Sequence, residues 1–116
     1  MKVYNEAIDS VLVLRPVGRL DAVGADVFSD TVVATLADEP QKTVVDLTSV
    51  AFVSSAGLRA LIDLSKRVSQ CGRLAVCGLN PNVRQVFELV GFDRIMTLCD
   101  DLAAARSALS RGGALA

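Results

Sequence analysis

A chain of 116 residues, 52% hydrophobic and 22% charged, has room for one domain (residues 1–116) and is too apolar to be disordered. The net charge is −1, Lys and Arg are scattered, and the aromatics are four Phe and one Tyr with no Trp. These features argue against direct nucleic-acid binding, which needs clustered basic side chains and stacking rings.

There is no histidine, and Cys71, Cys77 and Cys99 are odd in number and widely spaced, so no metal site is expected. Cys77, in the apolar run RLAVCGL, reads as a reduced and buried thiol. No apolar run reaches the roughly 18 residues of a membrane span, and the opening MKVYNEAIDS lacks the apolar stretch of a signal peptide. A cytoplasmic protein without membrane insertion is expected.

In chain order, a short first strand near Val3 and Tyr4 precedes a strand over residues 10–17, and GRLD (18–21) reads as its exit turn. From about residue 24 to 37, Val27, Phe28, Val32 and Leu36 recur at helical spacing. EPQK (39–42) punctuates, because a residue before proline avoids the helical region. TVVDL (43–47) is a β-branched run suited to a buried strand.

The next helix carries Leu58, Leu61, Ile62, Leu64 and Val68 toward a core and reaches to about Gln70, with Gly72 as its stop. On its wet face Arg59–Asp63 and Asp63–Arg67 are i,i+4 charge pairs, worth about 0.3 kcal/mol each. RLAVCGL (73–79) is a strand, and Asn80–Pro81 is a helix start with an N-cap and proline at the first helical position. That helix carries Val83, Val86, Phe87 and Val90 and stops at Gly91. RIMTL (94–98) reads as a short strand, a last helix begins near Asp100 or Asp101, and the tail from about residue 110 should fray.

Strands alternating with helices of 10 to 15 residues give an α/β domain. The expected architecture is a mixed, mainly parallel sheet of four to five strands packed with about four helices, its first two strands antiparallel.

The stretch DLTSVAFVSSAGLRALI (46–62) sets Ser54 and Ser55 where a strand gives way to a helix. A catalytic serine needs a base, and without histidine the Ser-His-Asp arrangement cannot be built. VSSAG also has Val53 where the nucleophile elbow needs glycine, and Lys66 lies about three helical turns from Ser55. Phosphate-binding loop spacings are absent, and no cofactor is expected. Enzyme chemistry here is therefore disfavoured. One serine is accounted for as an N-cap, which leaves the other without a structural duty.

VVDLTSVAFVSSAGLRALI resembles the central motif of the STAS domain family, the anti-sigma factor antagonists, in which an Asp-Leu-Ser/Thr strand leads to Asp-Ser-Ser/Thr-Gly-Leu. VGRLDA resembles the family's Gly-x-Leu-Asp turn, and NPNVRQVFELVGF its Pro-x-Val-x-x-x-Phe-x-x-x-Gly segment. The matches run in order from residue 17 to 92. The resemblance implies a single STAS-type domain that binds an anti-sigma factor with serine kinase activity, frees the sigma factor, and is released on phosphorylation at Ser55. A PP2C-type phosphatase would restore it.

The resemblance also implies a partner-binding set of Asp21, Ser54, Ser55, Ala56, Gly57 and Leu58. Two positions depart from the family: Ser54 replaces an aspartate before the acceptor, and Ala56 replaces a second hydroxyl residue. The alternative is an unphosphorylated STAS subunit of a transporter or signalling complex, with both serines serving as cap and contact.

Overall fold

The structure, a computed structural model, describes residues 1–36, 42–68 and 73–112. The punctuation at Glu39 and Pro40, the helix end near Gln70, the stop at Gly72, Cys71 and the last four residues of the tail lie outside the described residues.

The first two strands, β1 (Lys2–Ile8) and β2 (Val11–Leu20), form an antiparallel hairpin in which Ile8 pairs with Val11. The two-residue turn holds Asp9 and Ser10 at φ 50° and 68°, the left-handed pair that a tight hairpin needs to match strand twist. Helix α1 (Ala22–Leu36) follows, then β3 (Thr43–Asp46), β4 (Val50–Val53), α2 (Ser55–Val68), β5 (Leu74–Cys77) and α3 (Pro81–Leu89). A 3-10 turn at Phe92–Arg94, β6 (Thr97–Cys99) and α4 (Leu102–Gly112) complete the chain. The sheet runs β1-β2-β3-β5-β6, with every pairing after the hairpin parallel.

Among the described residues the sheet has six strands, one more than the upper expectation, and β4 is the addition. Strand β2 does not exit at Gly18. Its first half pairs with β3 and its second half with β4, through Gly18–Val50, Arg19–Phe52 and Leu20–Val53. The pairing shifts register between Gly18 and Arg19, and Gly18 takes φ 123° there, a conformation a side chain resists. The expected strand over residues 94–98 also moves. Arg94 closes the 3-10 turn, and pairing begins only at Thr97.

Side chains alternate across the sheet and build two cores. Leu12, Leu14, Val45 and Val76 meet Phe28, Val32, Leu61 and Leu64 on the side covered by α1 and α2. Val11, Val13, Val44, Ala75 and Cys77 face Ala105 and Leu109 of α4 on the other side. Both faces are covered, which is why these strands read as continuous apolar runs.

Helix α2 buries Gly57, Ala60, Leu61, Leu64 and Val68, whereas Leu58 and Ile62 are only half-buried at the edge of the core. The two i,i+4 charge pairs expected on its outer face are not among the ion pairs of the described residues. Helix α3 starts as expected, with Asn80 Oδ1 accepting from Val83 N–H at 2.8 Å. It buries only Val83 and Phe87 and leaves Val86, Leu89 and Val90 exposed. Asp101 caps α4, its Oδ1 accepting from Ala104 N–H at 2.8 Å.

Candidate functional site

Because β2 and β4 are parallel partners in register at Leu20–Val53, both chains leave the sheet at the same end and turn into helices side by side. Asp21 and Ser54 are the first residues beyond those strands, and they begin α1 and α2. This single pairing brings the GRLD and VSSAG motifs to one rim.

At each helix start one side chain satisfies backbone donors that have no carbonyl behind them. Asp21 Oδ1 accepts from Gly24 N–H at 2.9 Å. That bond is the largest influence and holds the carboxyl below its ordinary value; desolvation opposes it, and the Arg19 guanidinium 3.6 Å from Oδ2 adds to the lowering. Asp21 is therefore a helix cap, whatever else it contacts.

At α2 the cap is Ser54. Its hydroxyl donates to Leu20 O at 3.2 Å and accepts a long bond from Gly57 N–H at 3.3 Å. Its own N–H also donates to Leu20 O, at 3.0 Å, and its carbonyl accepts from Leu58 N–H at 2.9 Å. Ser54 is half-buried beneath this set of bonds. Ser55, the first residue of α2, is exposed. The two adjacent serines thus divide the work. One closes the helix, and the other presents a hydroxyl to solvent.

Gly57, expected in the partner-binding set, belongs to the packing at the base of the rim. It is buried, and a Cβ there would lie 2.4 Å from Leu20 O and 2.8 Å from Leu20 Cγ. Glycine is what lets α2 start against the end of β2. Gly24 plays the same part in α1, where a Cβ would come within 2.1 Å of Arg19 O. Ala56 and Leu58 are half-buried and take opposite sides of Ser55.

A shallow groove of about 470 Å³ separates α1 from α2, with Ser55, Ala56 and Arg59 facing Ala22, Asp26 and Ser29. A second, of about 450 Å³, runs on the other side of Ser55 along Leu58, Ile62, Val90 and Phe92. Arg59, Ile62 and Val90 are members of this surface that sequence reading assigned to a wet face or a core. The usable signal was the surplus of apolar residues in α3, more than a nine-residue helix can bury on one face. A further exposed feature stands on the adjacent strands, where the Arg19 guanidinium lies 4.5 Å above the ring of Phe52.

Away from the rim, Cys77 is buried, and burial, with Asp46 adding to it, pushes its thiol up to about 12. Among the described residues no cluster of three or more potential metal-ligating side chains occurs, and no helix is long and apolar enough to cross a membrane.

Comparison with known proteins places this geometry. The chain is 32% identical over 109 residues to BtrV of Bordetella bronchiseptica, a candidate anti-sigma factor antagonist, with 93% of this chain and 94% of the relative covered. It is 30% identical over 105 residues to the anti-sigma-F factor antagonist RsfB of Mycobacterium tuberculosis, covering 90% of this chain and 85% of that protein. The crystal structure of an anti-sigma factor antagonist from Mycobacterium paratuberculosis superposes with a TM-score of 0.86 at 28% identity, covering 94% of this chain and 93% of that one. The profile of the STAS domain matches residues 2–105, and the chain belongs to the STAS domain family.

Proposed function

We propose that the protein is an anti-sigma factor antagonist of the partner-switching kind. Its unmodified form docks an anti-sigma factor with serine kinase activity, freeing a sigma factor, and phosphorylation of Ser55 ends the complex. A PP2C-type phosphatase resets it, and the cycle runs in the cytoplasm. The docking surface is the rim that holds Asp21, Ser54, Ser55, Ala56 and Leu58. The likeness to BtrV and RsfB supports the reading.

The observation that carries it is the division between the serines. Because Ser54 makes the cap, the Ser55 hydroxyl is exposed and free to be modified without dismantling the helix start. A phosphate there sits in the first turn of α2, where unpaired N–H groups and the helix dipole favour an anion. The fold tolerates the modification. A partner packed on the rim does not, because it would have to desolvate a charge of about −1.5 to −2. Ser54, where the family has an aspartate, removes one like charge from beside the phosphate.

The test is intact-mass and phosphopeptide analysis after incubation with the cognate kinase and ATP. One phosphate on Ser55, with loss of the complex, is the expected result. Modification of Ser54, or of neither serine by a kinase active on another substrate, overturns it.

A further inference from the structure

A sizeable cleft lies away from Ser55. Its volume is about 630 Å³, and it opens between the end of α2, α3, the 3-10 turn and the starts of β5 and β6. Strands β5 and β6 run parallel to β2 and β4, so their starts lie toward the opposite end of the sheet from the serine rim. Nothing in the proposed switch uses this cleft.

Three arginines from three elements line it: Arg73 just before β5, Arg84 on α3 and Arg94 at the end of the 3-10 turn. Two carboxylates, Glu88 and Asp93, line it as well. Arg84 is already balanced, with Glu88 at 3.7 Å and Asp100 at 3.5 Å. Neither Arg73 nor Arg94 has an ion pair among the described residues. Arg73 goes further, because its Nη1 is buried with no hydrogen-bond partner among the described residues. A guanidinium never gives up its proton, so a buried donor of this kind calls for an acceptor. The rest of the cleft supplies an apolar wall through Leu74, Ile95 and Leu98.

We propose that this cleft is a binding site for a small oxyanion ligand, a phosphate or carboxylate carried on a compact apolar body. Arg73 binds the anionic group from below and Arg94 from the rim. The planar fork of a guanidinium matches both phosphate and carboxylate, and among the described residues neither arginine has an ion pair to break in doing so. The volume falls in the range of small-molecule sites and exceeds what a bare phosphate fills. Arg84, held by two carboxylates, shapes the wall and does not bind the anion.

The test is titration of isotope-labelled protein with inorganic phosphate, phenyl phosphate and benzoate at matched ionic strength, read by amide chemical shifts and thermal melts. Saturable shifts confined to residues 73–75 and 93–98 are expected. Phenyl phosphate or benzoate should bind at least fivefold tighter than inorganic phosphate, and the preferred arm identifies the anionic group. Arg73→Met should melt no lower than wild type without ligand, since it removes an unpaired buried donor, yet lose at least tenfold in affinity. Arg94→Ala, at an exposed position, should fold normally and lose about threefold or more. Absence of saturable shifts with all three probes overturns the site, as does binding that both variants leave unchanged. An Arg73→Met variant that melts lower and binds normally makes Arg73 structural, and overturns it too.

Discussion

The carbonyl oxygen of Leu20 accepts two hydrogen bonds from Ser54, one from its backbone N–H at 3.0 Å and one from its hydroxyl at 3.2 Å. Thirty-four residues separate the two along the chain. This clasp ties the end of β2 to the start of α2 and commits Ser54 to structure. Its neighbour Ser55 is left exposed.

Stability separates the serines. Ser54→Ala removes the cap and the hydroxyl half of the clasp, and should cost about 1 kcal/mol, a fall in Tm of roughly 3–6 °C for a domain of this size. Ser55→Ala should stay within about 0.5 kcal/mol of wild type, as exposed substitutions usually do. Equal losses in thermal melts would remove the division of labour.

Binding separates them in the opposite sense. Ser55→Ala should bind the anti-sigma factor like wild type and resist phosphorylation, while Ser55→Asp should weaken binding at least tenfold, though less than phosphate does, having fewer charges and acceptor oxygens. Ser54→Ala should still accept phosphate on Ser55. Calorimetric titration of the four proteins with the partner checks this, and tight binding by the phosphorylated form would sink the interface veto.

Gly57→Ala tests the packing beneath the rim. Its Cβ would be forced against Leu20 O and Leu20 Cγ, at 2.4 Å and 2.8 Å before adjustment. A loss of about 1–3 kcal/mol is expected, the usual cost of overfilling a packed site. Denaturant unfolding reads it directly, and a wild-type midpoint would mean that α2 can shift without penalty.

The Asp21 cap carries a pH signature. Its carboxyl titrates lower in the folded chain than in the unfolded one, chiefly through the bond from Gly24 N–H. Its stabilising contribution is therefore fully present above the unfolded value of about 3.9 and is lost as pH falls through the lower, folded value. Asp21→Asn keeps a capping oxygen and removes the titration, so its melting temperature should fall less than that of wild type over that acid range. If the Asp21 charge also serves docking, the same variant will lose partner affinity at neutral pH while remaining folded. Unchanged affinity leaves Asp21 a cap alone.

Cys77 should be inert in the native protein. With its thiol held at about 12 by burial, it should escape iodoacetamide at pH 8 and react only on unfolding, since the thiolate is the nucleophile. The stability this proton lends is whole below the ordinary thiol value of 9.0 and is lost as pH rises from there toward 12. Peptide mapping that finds native alkylation at Cys77 would show that β5 opens readily.

Most of the element order was legible in the chain itself because helical and strand periodicities are local properties of consecutive residues. Asn80–Pro81 announced α3, the β-branched run at 43–46 announced β3, and the GRLD and VSSAG motifs announced a family whose geometry puts them on one rim. What required the tertiary structure depends on contacts between residues far apart in sequence. Strand β2 runs on through Gly18 only because β4 is there to pair with it, and the four residues of β4 are too few and too exposed to declare themselves. The apolar residues of α3 exceed what its one packed face can bury, so periodicity assigned Val86 and Val90 to a core that has no space for them. Periodicity could show that one of two adjacent serines would cap a helix. The choice fell to Ser54 because the carbonyl of Leu20, brought alongside by the β2–β4 pairing, lies within reach of its hydroxyl.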